Sequence, residues 1–251
     1  MTETSCNVYP RCHVNPNISC GDCRLNTICL PISLHVDDVA KVDKIIQRGR
    51  PLQKGEYLFH PQDEFKSVYA VRSGTVKTIS ITGEGQEQVT GFYLPGEILG
   101  MDGIATGSHT NAAISLETSA VCEIPFSRLE ELSAQLPSLQ RYLFRLLGRE
   151  ISTDQQLITL LSKNSADQRI ATLLLSISAR NGRRHLSATE FRLPMSRADI
   201  GNYLGLTVET VSRALSRFQK QGLISADKKE ISILDINALK KMANVNVVDE
   251  A

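Results

Sequence analysis

The sequence predicts an α+β chain in which a block of short β-strands leads into one long helix and then a winged helix-turn-helix. Three observations predict it. Between Pro51 and about Leu132, short alternating segments are punctuated by glycine and proline. From Pro137 to Lys163, apolar residues recur at helical spacing with no internal proline. After Met195, two short helical patterns flank a glycine-containing turn and are followed by an alternating stretch.

Taken in order, residues 1–33 show little periodicity yet hold five of the six cysteines, which reads as an irregular arm. Leu34, Val39, Val42 and Ile45–Ile46 then fall at helical spacing, so the pattern predicts a helix over 34–48 stopped at Gly49. VYAVRSG, TVKTISI, EQVTGFYL and AAISLE alternate as half-buried strands do, with turns at Gly55, Gly74, Gly83, Gly85 and Pro95–Gly96. Such regular spacing points to a sandwich or barrel. On the long helix, Leu143, Leu147, Ile151, Asp154, Ile158 and Leu161 recur every three or four residues, the seam of a coiled coil. Asp154 has two readings there: a solvated edge position, or two like charges meeting across a twofold axis and keeping a dimer marginal. A further helix is expected from Ala166 to about Arg180, then a short strand at FRLPM, two helices and a terminal hairpin.

Composition sets the class. At 251 residues, with 41% hydrophobic and 22% charged residues, the chain has the make-up of a soluble globular protein with a sizeable core. Its first residues, MTETSCNVYPRC, lack the charged and apolar regions of a signal peptide. No apolar run approaches the roughly 18 residues a membrane span needs. The expectation is a cytoplasmic protein without a membrane partner, in which reduced thiols serve metals or redox chemistry more often than disulfides. Net charge is only +1, but Arg180–Lys229 holds ten Lys/Arg against four Asp/Glu. A basic end on a near-neutral chain is the asymmetry of an attached nucleic-acid-binding module.

That module is MSRADIGNYLGLTVETVSRALSRFQKQGLI. Ser196 can cap a helix carrying Ile200 and Leu204, Gly205–Leu206–Thr207 makes the turn, and a second helix from Val208 buries Val211, Leu215 and Phe218. Glu209, Ser212 and Arg213 share one face of that helix, which in this motif enters the major groove. Arginine can bond guanine bidentately, glutamate can accept from cytosine, and serine can reach base or phosphate. An ordinary solvated i,i+4 Glu–Arg pair is the plainer reading. LISADKKEISIL would form the wing, with Lys228–Lys229 near its turn.

DIGNYLGLTVETVSR closely resembles the recognition motif of the cyclic-AMP receptor superfamily, in its fumarate-and-nitrate-reduction regulator branch. The resemblance continues through AVRSGTVKT and QVTGFYLPGEILG and covers nearly the whole chain. It implies a β-roll like that of cyclic-nucleotide-binding domains and divides the chain into a cysteine-rich arm (1–33), the β-roll sensor (34–136), a dimerisation helix (137–163) and a winged helix-turn-helix (164–251). It further implies a homodimer reading a palindrome similar to TTGAT, four bases, ATCAA. Glu209, Ser212 and Arg213 would read bases, Thr207 and Val208 would sit at the DNA-facing helix start, and RNA polymerase would be a partner.

Spacing alone leaves the cysteines open. Cys20-x2-Cys23-x5-Cys29 suggests a metal but fits neither a zinc ribbon nor the ferredoxin patterns, and Cys122 alone would pass for a buried apolar residue. The resemblance implies that Cys20, Cys23, Cys29 and Cys122 hold one [4Fe–4S] cluster per subunit, destroyed by oxygen with loss of the dimer. Cys6 and Cys12 are extra to that motif and are expected not to ligate. Arg24 beside Cys23 places a cation where it can tune the oxygen response.

Rival functions have weaker support. A cyclic nucleotide needs a cation for its phosphate; the chain keeps Gly96–Glu97, but GSHTNAAISLE carries His109 where the family's arginine would fall. Control by another small ligand or by a structural zinc is the remaining alternative. No dinucleotide fingerprint, P-loop, H-E-x-x-H or nucleophile elbow supports an enzyme.

Overall fold

The computed structural model describes residues 18–244, so Cys6 and Cys12 lie outside the described residues. A 3-10 turn at Leu30–Ser33 precedes helix α1 (Val36–Ile45). The helix is shorter than its periodicity predicts. Gln47–Arg48 leave it as strand β1, paired antiparallel with Glu123 and Cys122. The backbone groups there are satisfied by a sheet rather than by another helical turn, and Gly49 is not the stop.

Strands β2 (Tyr57–Phe59), β3 (Ser67–Ser73), β4 (Val76–Ile81), β5 (Glu87–Tyr93), β6 (Ile98–Leu99), β7 (Ala112–Ser115) and β8 (Ala120–Pro125) complete two antiparallel sheets. Their orders are β1-β8-β3-β6 and β2-β7-β4-β5. Phe59, Val71, Val76, Leu99 and Ala113, drawn from both sheets, pack into one core. This is the β-roll that the resemblance implies.

The chain then turns helical at Phe126, short of Leu132, where the sequence pattern places the end of the strands. Helix α2 (Phe126–Gln135) buries Leu129, and α3 (Pro137–Lys163) follows over the span that the sequence predicts. Pro137 sits in the first turn of α3, where its missing N–H would have had no helical partner. Leu139 and Tyr142 of α3 pack with Val42, Val68, Ile124, Leu129 and Leu30, seating the start of the long helix and the end of the cysteine arm on one sheet.

Helix α4 (Ala166–Arg183) begins at a capping box between Ser165 and Gln168. Strand β9 (Glu190–Arg192) stops before Pro194, which has no N–H to continue a ladder. Helices α5 (Arg197–Leu204) and α6 (Val208–Lys220) form the helix-turn-helix. Strands β10 (Ile224–Asp227) and β11 (Glu230–Ile233) form the wing, in a sheet of order β10-β11-β9. A last helix, α7 (Ile236–Ala243), which the sequence reading did not anticipate, is capped by Asp235 and packs on α4. Ile170 and Leu174 of α4, Leu204 of α5 and Phe218 of α6 share a core with Ile79, Val89 and Phe92 of the β-roll. Among the described residues no helix is long and apolar enough to cross a membrane.

Candidate functional site

The cysteine arm is a string of tight turns rather than a regular element. Cys29 N–H donates to Leu25 O at 2.9 Å, Asn26 N–H to Cys23 O at 2.9 Å, and the Asn26 side chain to Gly21 O at 2.9 Å. Leu25 and Leu30 are buried and anchor the turns from below. Cys122 comes from β8, about a hundred residues further on. All four cysteines named by the sequence reading line one cavity, together with Arg48 and Arg72. About 30 Å³ of it is free, room for a water molecule or two. The thiols are unbridged. Burial pushes the Cys29 thiol up to about 12, and burial together with Asp43 does the same to Cys20. Burial raises Cys122 as well. The Cys20, Cys29 and Cys122 thiols are therefore neutral at ordinary pH, and a metal must displace their protons. Four soft sulfur donors suit an iron–sulfur cluster or zinc. Among the described residues no group of three ligating side chains is already drawn together closely enough to grip an ion. By its chemistry the donor set fits such a group. Arg24 is exposed on the arm.

The second site is the helix-turn-helix. Ser196 caps α5 through a capping box with Asp199, and Thr207 caps α6 by accepting from Thr210 N–H at 3.2 Å. Two glycines make the turn. Gly205 ends α5 in the left-handed region (φ 63°), and a Cβ on Gly201 would come within 2.6 Å of Leu206 O. Val211, Leu215 and Phe218 are buried, which leaves Thr207, Val208, Glu209, Ser212 and Arg213 on the exposed side of the helix start. Backbone N–H at that start and the Thr207 hydroxyl hold the Glu209 carboxyl below the usual range.

The long helix carries a third feature. Leu147, Ile151 and Ile158 are exposed, the latter two at 60% and 66%, and Asp154 is exposed among them. Phe144, which the heptad reading passed over, is 66% exposed on the same stripe. Leu143 is instead turned partly into the core beside Tyr142, and Leu161 is half-buried.

Comparison with known proteins agrees with this architecture. Residues 49–135 match the cyclic nucleotide-binding domain family and residues 168–242 the Crp-like helix-turn-helix domain family. The chain is 58% identical over 220 residues to the transcriptional activator protein Anr of Pseudomonas aeruginosa, covering 88% of this chain and 90% of that one. It is 48% identical over 226 residues to the fumarate and nitrate reduction regulatory protein of Escherichia coli, covering 90% of each. The chain belongs to the Fnr/Anr family of Crp-type transcription regulators. Among solved structures, FixK2 from Bradyrhizobium japonicum superposes with a TM-score of 0.72 at 30% identity, over 79% of this chain and 97% of that one. This Fnr-type chain is thus a DNA-binding transcription regulator and not an enzyme.

In the β-roll of this Fnr-type chain, Glu97 and His109 are both engaged by neighbouring residues. Glu97 is engaged by Arg180, whose Nε donates at 2.7 Å, and by Leu94 N–H at 2.8 Å. His109 is buried, stacked on Phe59 at 3.8 Å between ring centroids, with its Nδ1 3.1 Å from Asp102.

Proposed function

We propose that this regulator is switched by oxygen through one [4Fe–4S] cluster per subunit, held by Cys20, Cys23, Cys29 and Cys122. The observation that carries the reading is that these four cysteines, three local and one from β8, line a single cavity. When bound, the cluster supplies iron–thiolate bonds that oxygen can break. The protein's part is to couple those bonds to α3. Leu30, the residue after Cys29, is fully buried in the same apolar cluster as Leu139 and Tyr142. Holding Cys29 holds Leu30 there and orders the base of α3. The apolar stripe of Phe144, Leu147, Ile151 and Ile158 then pairs with its counterpart on a second copy, against repulsion between the two Asp154 carboxylates. A switch from 1:99 to 99:1 needs about 5.5 kcal/mol of differential stabilisation.

In the homodimer each α6 enters one half of a palindrome resembling TTGAT, four bases, ATCAA, with Glu209, Ser212 and Arg213 on base edges and Thr207 and Val208 at the groove entrance. The engaged Glu97 and buried His109 favour a β-roll without a cyclic nucleotide. Cytoplasmic residence and contact with RNA polymerase complete the reading. The test is an absorption spectrum with iron and sulfide assay on protein purified without oxygen, repeated in air. About four irons per chain, with a broad band that bleaches as the dimer separates, is the expected result. Zinc, or no metal, would overturn the oxygen-sensing reading and leave the family assignment standing.

A further inference from the structure

We infer that Arg48 and Asp43 form a clamp on the Cys20 sulfur that neutralises and retains the metal-bound thiolate; this rests on the cluster reading above. The Cys20 backbone N–H donates to Asp43 Oδ1 at 2.8 Å. The same carboxylate oxygen accepts from Arg48 Nη2, and that nitrogen also points at Cys20 Sγ, 3.6 Å away. Three separate segments meet here: the arm, the last turn of α1 and strand β1. Strand β1 also pairs Arg48 directly opposite Cys122 in register. One guanidinium therefore stands beside the first and the last cysteine of the set. The group is sheltered, with the Arg48 side chain 15% exposed and that of Asp43 28% exposed. Arg48 Nε is buried without a hydrogen-bond partner, and Arg72, also buried, lines the same cavity.

The chemistry assigns the clamp a purpose. A cluster held by four thiolates is a net anion, and enclosing it in an apolar cavity is costly unless cations face it. Arg48 supplies such a cation on a strand whose position the sheet fixes. Asp43 orients the guanidinium fork and ties down the backbone of Cys20. Nη2 carries two N–H groups, so it can donate one to Asp43 Oδ1 and the other to a Cys20 thiolate at once. Arg48 and Asp43 are positioning residues: neither ligates, and both set how firmly Cys20 does.

The test uses full-length protein purified without oxygen, as wild type, Arg48→Gln, Arg48→Lys, Asp43→Asn and, as an exposed control, Arg50→Gln. Iron per chain, cluster loss to a ferrous-iron chelator under argon, and the iron–thiolate stretching bands in the resonance Raman spectrum are read. Arg48→Gln should lose its cluster at least about tenfold faster, the scale of effect seen when such supporting groups are removed. Its iron–thiolate bands should shift, as expected when a hydrogen bond to sulfur is lost. Arg48→Lys keeps the charge and should recover part of the resistance, Asp43→Asn should fall between, and Arg50→Gln should match wild type. If Arg48→Gln cannot be obtained folded, the ordering of Arg48→Lys and Asp43→Asn relative to wild type decides. Equal chelation rates and unshifted bands across the Arg48 and Asp43 variants, in proteins that hold their cluster, would overturn the clamp alone. A wild type without iron would instead overturn the cluster reading, and the clamp with it.

Discussion

Arg213 stands on the exposed side of α6, one residue after Ser212 and four after Glu209, and it takes no part in the packing that holds the helix. Alanine there removes no core contact and suits a helix, so Arg213→Ala should fold as wild type does. Its effect should fall on DNA: a loss of about 1–3 kcal/mol per half-site, concentrated at one base pair. Titrating the variant against operators altered one position at a time checks this, and an equal loss on every sequence would place Arg213 on phosphate. The residues of this site are legible because they are local: cap, turn glycine and helix face all lie within twenty residues of sequence. The proposed cysteine ligand set is only half legible. Three members share a short spacing, whereas nothing near Cys122 marks it, and its place in the cavity is set by the pairing of β8 with β1 and β3. Arg48 and Asp43 leave no local trace either, since their bearing on Cys20 arises from contacts spanning 28 and 23 residues.

Among the elements, α3 shows where periodicity suffices and where it misleads. Its span is readable from a proline start and an unbroken apolar repeat. Which residues face outward is not, because the first turns serve two neighbours at once. Tyr142 and Leu143 lean on the β-roll core, so the outward stripe begins at Phe144 instead. Helices α2 and α7 are not legible in the sequence for a related reason: they are ten and eight residues long and follow closely on strand pattern, which masks their period. The exposed stripe on α3 makes a prediction of its own. A run of apolar side chains left in water marks a surface that a partner covers, and Asp154 interrupts that run with a charge. On the proposed dimer reading, Asp154→Ala removes a like-charge repulsion and leaves a continuous apolar seam, so the variant should dimerise and bind its operator in air. Sedimentation of aerobic protein decides: a monomer would mean that Asp154 does not limit association.

At the scale of the whole molecule, the DNA-binding part is docked onto its own β-roll through contacts more than a hundred residues apart in sequence. Strand β5 is the edge of its sheet, and an unpaired edge is a liability. Helix α5 covers it. The Asn202 side chain accepts from Val89 N–H and donates to Glu87 O at 2.8 Å, while the Gln88 side chain donates to Asn202 O at 2.7 Å. Beside this seam Lys77 Nζ donates to Asp199 Oδ1 at 2.6 Å, both side chains 15% exposed. Burial alone would raise the Asp199 carboxyl, but bonds from Lys77 and from the Ser196 hydroxyl and N–H bring it below its ordinary 3.8. A carboxylate depressed in the folded state stabilises it above the unfolded value, and that contribution disappears as pH falls through the folded value. The docked arrangement should therefore lose stability as pH drops below about 4. Asp199→Asn can still cap α5 but cannot pair with Lys77, and at neutral pH it should cost about 1.5–3 kcal/mol, the worth of a hydrogen bond to a charged group. Thermal unfolding of wild type and Asp199→Asn between neutral and strongly acid pH distinguishes the cases. The two curves should converge on acidification, because the proton does to the wild type what the substitution has already done to the variant. Parallel curves would mean that the Lys77–Asp199 pair does not hold the two parts together.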